Sequence, residues 1–234
     1  MFNYRSYNTI SFHQGVFMKH NVLAAAAILL FISLQTAGAA DLSILPKAGI
    51  SLGNIWGDDA DDYDSDMLVA PTGGVALEIA LTEKMSIQPE LLYSMKGFKV
   101  EEEQDFMGEL IEYSSTVKVS YLEIPVYGKF SFTAEGVQPF VYAGPALGIR
   151  LAATQEWEAG DDEGDDDIKD DTAPINFGIA GGFGVAIPAG AGKVVVDGGY
   201  TLGLTEIHDT DEGSSDIKSN NISFSVGYAI PIGR

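Results

Sequence analysis

The sequence predicts an all-β fold, an eight-stranded antiparallel up-and-down transmembrane β-barrel, on three observations. Between Pro46 and Arg234 eight stretches alternate apolar residues with small or polar ones. The connectors alternate too, long and acidic, then short. From the second stretch onward, one parity of each is free of charge. A barrel crossing an outer membrane requires all three, because side chains alternate across a strand, one face meets lipid, and the long loops gather at one rim.

The first strand is expected over Pro46–Trp56, ahead of the aspartate run from Asp58 to Asp66 that breaks the alternation. The second, Gly73–Leu81, places Val75, Leu77, Ile79 and Leu81 on one face and turns through Thr82-Glu83-Lys84. The third, Met85–Phe98, presents Ile87, Pro89, Leu91, Tyr93 and Met95, then meets Glu101–Glu103. In the fourth, Thr116–Phe132, the apolar parity is Leu122, Ile124, Val126, Gly128 and Phe130, followed by the turn Thr133-Ala134-Glu135-Gly136. The fifth, Val137–Thr154, offers Val141, Ala143, Pro145, Leu147 and Ile149 before the long acidic run Asp161–Asp171. Ile175, Phe177, Ile179, Phe183 and Val185 mark the sixth, Pro174–Ile187, which turns at Pro188–Gly192. The seventh, Lys193–Thr205, carries Val194, Val196, Tyr200, Leu202 and Leu204 and precedes Asp209–Asp216. The eighth, Asn221–Ile232, carries Ile222, Phe224, Val226, Tyr228, Ile230 and Ile232. Each is long enough for the roughly 9 to 11 tilted residues that cross a bilayer. The prolines at 89, 125, 139, 145 and 231 each delete a ladder donor and are expected at bulges or strand ends.

The opposite parity holds Glu78, Gln88, Glu90, Lys96, Glu123, Lys129, Arg150 and Asp197 among many glycines. Polar inside and apolar outside inverts a soluble barrel or sandwich, which would have to expose an apolar band far larger than the patches a soluble monomer tolerates.

Residues 18–40 read as a secretory signal peptide: Lys19 and His20, an apolar run from Val22 to Leu34, then Ala37-Gly38-Ala39-Ala40. The run is short against the roughly 20 residues of a membrane-spanning helix. Residues 1–17 precede an internal Met18 and read as a mis-called start, which leaves 41–234 as the barrel domain. The formal net charge is −21, and removing Arg5 and Lys19 with the leader makes the remainder more acidic still. Such a chain is no nucleic-acid partner, since phosphate contacts need Lys and Arg. With no cysteine, disulfides, thiolate metal sites and cysteine nucleophiles are excluded.

Four segments carry a family resemblance: Tyr121-Leu122-Glu123-Ile124-Pro125-Val126, Gln138-Pro139-Phe140-Val141-Tyr142-Ala143-Gly144-Pro145, Asn176 through Gly184, and Gly199-Tyr200-Thr201-Leu202-Gly203-Leu204-Thr205. The chain resembles the PorT-like outer-membrane β-barrel family over nearly all of 41–234. The resemblance implies an eight-stranded barrel in the outer membrane of a Gram-negative envelope and brings no catalytic residue with it. Ser225, Gly227, Ile230 and Ile232 also look like the terminal strand pattern read by the barrel-assembly machinery, though the chain ends two residues later and lacks a terminal aromatic.

Three constellations could carry chemistry. In the lumen, Lys47, Lys96, Lys129 and Arg150 face Glu78, Glu90, Glu123 and Asp197. Because an eight-stranded interior is only wide enough for side chains to fill, these are expected to form a neutralising structural network that plugs the lumen, the alternative being a proton or ion path. In the loops, Asp62, Asp64 and Asp66, and Asp162, Asp165 and Asp167, are weak calcium candidates. They miss the EF-hand pattern, with Met67 where glycine belongs and Gly73 where the closing Glu would be, and the competing expectation is a solvated, self-repelling loop. At the rim, His208 beside Glu206 and Asp209 is a conceivable general base for a hydrolase or acyltransferase, but no spacing ties it to a nucleophile and an orienting group. The function expected is therefore a non-enzymatic surface recognition or structural barrel with four acidic extracellular loops and no cofactor beyond a possible divalent cation. The alternatives are a small pore or accessory of a transport or secretion system, and the rim enzyme. The expected partners are outer-membrane lipid and lipopolysaccharide, the assembly machinery, and an extracellular ligand or protein.

Overall fold

The computed structural model describes residues 41–58, 65–106, 109–160, 162–207 and 217–232. The leader 18–40, residues 1–17, Asp62, Asp64 and His208 lie outside the described residues. The described chain forms β1 (Leu42–Trp56), β2 (Ser65–Ala80), β3 (Met85–Phe106), β4 (Glu109–Ser131), β5 (Gln138–Ala159), β6 (Asp162–Asp167), β7 (Ile175–Ala189), β8 (Gly192–Glu206) and β9 (Lys218–Ile232). All pairings are antiparallel, in the order β4-β3-β2-β1-β9-β8-β7-β5, and β4 pairs back onto β5. Eight strands thus close a barrel, as expected, and β6 stands outside the ring, paired with β5.

Short turns join β2 to β3, β4 to β5 and β7 to β8 at one rim. At the tightest, Ala189 pairs with Gly192 and Gly190 takes a φ of 63°, the left-handed geometry that a two-residue hairpin demands. Tyr228 reaches across to this turn, donating to the Ala189 carbonyl at 2.7 Å and accepting from the Gly192 amide at 3.1 Å.

Pro139 and Pro231 stand at strand ends, as expected, whereas the prolines inside strands differ from expectation. Pairs are interrupted beside Pro46 in the β1–β9 ladder, after Pro89 in β3–β4, and around Pro125 and Pro145 in β4–β5, yet the register on either side of each gap is the same. A lost donor removes a rung without adding a residue. The register shifts fall elsewhere: at Leu151, which is skipped between Ser120↔Ala152 and Tyr121↔Arg150, between Met67 and Thr72, and between Leu202 and Glu206. The shift at Leu151 flips the parity of β5, so that Arg150 and Ala153 both lie on the inner side while Leu151 is exposed.

All eight barrel strands contribute exposed large apolar side chains, among them Ile50, Val69, Leu91, Phe130, Val141, Phe183 at 71 %, Val196 and Phe224. Ile79 departs from its neighbours: it shares their outward parity but is covered between its register partners Leu42 and Ile87.

The interior is layered along the barrel axis. At the short-turn end, Leu45, Ala76, Phe140, Ala186, Val195 and Ala229 form an apolar floor with Tyr142 packed on it. At the opposite end, Ile55 and Ile217, joined by Phe98 and Ile207, form an apolar lid. Lys47, Glu90, Glu123, Asp197 and the hydroxyls of Ser223 and Ser225 occupy the space between, while Glu78, Gln88, Lys129, Gln138 and Lys193 lie beside the floor toward the short turns.

An arginine in place of Phe183 should cost about 2 to 4 kcal/mol of folding free energy in lipid vesicles, the penalty for a cation on the lipid face near mid-membrane. Urea unfolding of the refolded barrel measures it; a cost near zero would mean that water bathes this face.

Candidate functional site

Two places bring chemistry-bearing residues together, the middle of the lumen and the outer rim. In the lumen the expected residues meet, though not as four matched pairs. Lys47 on β1 reaches past the neighbouring strands to two acids, with its Nζ 3.4 Å from Glu90 Oε1 on β3 and 3.2 Å from Asp197 Oδ2 on β8. Lys129 lies 3.0 Å from Glu78 Oε2, touches Gln88 Oε1 at 3.3 Å, and stacks over the Phe140 ring with its Nζ 4.2 Å from the centroid. Lys96 pairs with Glu123 and sits 5.6 Å from the Tyr121 ring centroid. Arg150 joins no ion pair among the described residues and instead donates to the Thr172 carbonyl.

The carboxylates are further held by neutral donors. Asp197 accepts from Ser225 Oγ at 2.7 Å and from the Tyr142 hydroxyl at 3.3 Å, and Glu90 accepts from Gln88 Nε2 at 2.6 Å. Tyr142 packs against Tyr127 with ring centroids 4.7 Å apart. Its position depends on Gly182 and Gly199 opposite, because a Cβ at either would collide with the Tyr142 hydroxyl. The polar groups line a cavity of about 30 Å³ between floor and lid. Polar networks of this kind hold only when nearly every member is satisfied.

At the outer rim the acidic connectors were expected to be loops, and two of them are largely strand. β3 and β4 remain paired out to Phe106↔Glu109, and β4 pairs with β5 out to Tyr113↔Ala159. β6 adds itself to β5 from Thr154↔Asp167 to Ala159↔Asp162. These strands therefore continue as one four-stranded sheet beyond Val100↔Ser65 and Ile149↔Ile175, where the β2 and β7 ladders begin. The pairing sets acids against acids, Glu158 opposite Glu163 and Glu156 opposite Asp165, an arrangement that costs free energy in a sheet. Lys118 relieves part of it, with Nζ 2.5 Å from Glu156 Oε2. Trp157 lies flat across Gly164, where a Cβ would approach its ring to 2.6 Å, and supplies the apolar contact of an otherwise charged hairpin.

After β6 the chain packs back onto the barrel. The Ile168 amide donates to the Ala153 carbonyl at 3.1 Å, Thr172 Oγ1 donates to the Ile168 carbonyl at 2.8 Å, and Ile168 joins Val119, Tyr121 and Ala153. Of the calcium candidates, Asp66 lies in β2, Asp165 and Asp167 share one face of β6, and Asp162 lies on the other. Among the described residues no three His, Asp or Glu side chains gather as a metal site. Runs of like charge lower strand propensity and so conceal the sheet extension in the sequence; the signal for it is the alternation of Thr154, Glu156 and Glu158 with Gln155 and Trp157.

The outer membrane protein beta-barrel domain family matches residues 35–209. No curated protein matches the sequence. Among solved structures, the chain is similar to Ail, the attachment invasion locus protein of Yersinia pestis, at 11% identity, covering 82% of this chain and 99% of that one with a TM-score of 0.40. It is also similar to Neisserial surface protein A, at 10% identity over 81% of this chain and 97% of that one with a TM-score of 0.41. A third is the N-terminal β-barrel domain of Pseudomonas aeruginosa OprF, at 11% identity over 81% and 99% with a TM-score of 0.32.

Replacing Lys47 by methionine leaves two buried carboxylates without their shared cation and should destabilise the barrel by about 3 to 5 kcal/mol. The exposed pair is the control: Lys118→Met should cost about 0 to 1 kcal/mol. Equilibrium unfolding of both variants in detergent measures the contrast. Trp157→Ala should open the hairpin, speeding protease cleavage between β5 and β6 while the midpoint of barrel unfolding stays unchanged.

Proposed function

We propose, because this chain belongs to the outer membrane protein beta-barrel domain family and carries a like-charged sheet above its barrel, that it is a surface recognition barrel of the outer membrane with a plugged lumen. Within that family the strand motifs at 121–126, 138–145, 176–184 and 199–205 favour the PorT-like group. The protein acts by binding, without catalysis: the barrel anchors, and the acidic outer sheet engages a cationic face of an extracellular partner.

One observation carries this reading. The β5–β6 hairpin holds Glu158 against Glu163 and Glu156 against Asp165, with Asp162, Asp166 and Asp167 exposed beside them. A partner bringing positive charge relieves that repulsion on binding, so part of the strain becomes affinity. Divalent ions bridging the same acids to lipopolysaccharide would use the same relief. The lumen supports anchorage over transport, because floor, ionic layer and lid fill an interior that eight strands leave only side-chain wide.

The refolded barrel should show no stable conductance steps in planar bilayers; reproducible unitary steps would instead indicate a pore. It should bind polylysine with an affinity that falls as salt rises. A variant with Asp162, Glu163, Asp165, Asp166 and Asp167 changed to their amides should lose most of that binding at an unchanged unfolding midpoint. Millimolar calcium should slow protease cleavage of the β5–β6 hairpin in the parent and leave the amide variant unaffected.

A further inference from the structure

The lumen's charges do not balance where its cavity lies. The acids lining the cavity are Glu90, Glu123 and Asp197, and the base lining it is Lys47. Lys96 answers Glu123. Lys47 is divided between Glu90 and Asp197, at distances of 3.2 to 3.4 Å that are long for charge-assisted bonds. The remaining inward bases are engaged elsewhere: Lys129 with Glu78, Arg150 with the Thr172 carbonyl, and Lys193 with Gln138 Oε1 at 2.6 Å near the floor. With all three lining acids ionised, one negative charge beside the cavity is left without a counter-charge among the described residues, and a buried charge in that condition is costly.

A second observation points the same way. Asn221 lines the cavity, is 4 % exposed, and its Oδ1 accepts no hydrogen bond among the described residues. It stands on the inner face of β9 with Ser223 and Ser225, so the cavity runs from the level of the Asp197↔Ser225 pair toward the lid, with oxygen atoms along that wall. The volume of about 30 Å³ exceeds the roughly 10 to 15 Å³ that one water needs by the same measure.

We infer that this cavity is a binding site for one small hydrated monovalent cation of the sodium class, with Glu90 and Asp197 supplying the charge and Asn221, Ser223 and Ser225 the hydrated wall. Carboxylate, amide and hydroxyl oxygens are the donors that hard cations take. A divalent ion would overshoot the single missing charge. The ionisable groups facing the site are Lys47 from β1, Glu90 from β3, Glu123 and Tyr127 from β4, Tyr142 from β5 and Asp197 from β8. Both charge-supplying carboxylates already accept from donors, Asp197 from Ser225 and Tyr142 and Glu90 from Gln88, which holds them as acceptors toward a cation.

The test is thermal unfolding of the full chain refolded in a zwitterionic detergent, at constant pH and ionic strength, with sodium chloride replacing N-methylglucamine chloride. The expected result is a saturable upward shift of about 3 °C, since a ligand bound by the native state raises the midpoint with its concentration. Glu90→Gln removes the surplus charge and should abolish the shift; Asn221→Leu, which closes the hydrated wall, should weaken it. Should Glu90→Gln fail to fold, anomalous scattering from crystals of the parent soaked in thallium acetate gives an independent reading, with a peak in the cavity expected. A midpoint indifferent to sodium would overturn the inference, as would an equal response to both cations, which is screening of the acidic outer sheet. So would a midpoint that rises with acidification in sodium-free buffer and ignores sodium, because the missing charge is then a proton.

Discussion

Closure of the backbone ladder is the constraint on which this structure depends. Hydrocarbon offers no partner to an unpaired amide or carbonyl, so a sheet can cross a bilayer only if its first and last strands find each other. Here β1 pairs with β9, and the seam between β4 and β5 completes the circle. The behaviour of the prolines follows from it. Pro89, Pro125 and Pro145 remove rungs, but the rungs on either side keep their register, because a slip of one residue would turn an entire strand's charged parity toward lipid. Bulges are admitted instead toward the outer end, at Leu151 and above Thr72 and Leu202, where the ladder is leaving the membrane.

Closing with eight strands makes the interior narrow, and narrowness buries most inward charges, Glu90, Lys96, Glu123, Lys129 and Asp197 among them. On the inward parity the four bases Lys47, Lys96, Lys129 and Arg150 stand against the four acids Glu78, Glu90, Glu123 and Asp197, and the fold brings most of them within reach of each other. What holds the barrel interior is therefore a set of long side chains, Lys47 spanning the middle to Glu90 and Asp197 and Lys129 meeting Glu78 toward the short turns, with Tyr142 seated against glycines on β7 and β8. Apolar clusters flank this polar layer toward both ends, and burial strengthens each pair and raises the penalty for any that is incomplete.

Much of this was legible in the chain. Alternation such as Ile222, Phe224, Val226, Tyr228 and Ile230 against Ser223, Ser225 and Gly227 assigns both faces of β9 without a structure, and the same parity names the lumen residues Glu78, Glu90, Lys96, Glu123, Lys129 and Asp197. Parity cannot say which of them meet. Lys47 passes over its immediate neighbours β2 and β9 to reach β3 and β8, a choice set by barrel radius and strand tilt, which no local pattern records. Parity places Arg150 among the four inward bases, where it lies, but the segment around Thr172 gives it a carbonyl as its partner and not an acid. The outer extension of β3 to β6 was hidden for another reason. Its residues have poor strand propensity, and pairing that begins inside the barrel carries on through them.

The two ends of β5 thus face opposite problems with one backbone. Inside the membrane an open edge is forbidden, so the strand is flanked by β4 and β7. Above it the hairpin partner β6 pairs only with β5 among the described residues, and the danger at such an edge is pairing with a second copy of the same sheet. Asp162, Glu163, Asp165, Asp166 and Asp167 guard that edge, because a second acidic strand approaching it meets like charge at every position but Gly164. The guard is selective. It repels copies of itself and acidic surfaces generally, and it leaves attraction only for partners that arrive with positive charge. The recognition role proposed above therefore needs no pocket, since the charges that disfavour self-association are the ones that would set a preference for a cationic partner.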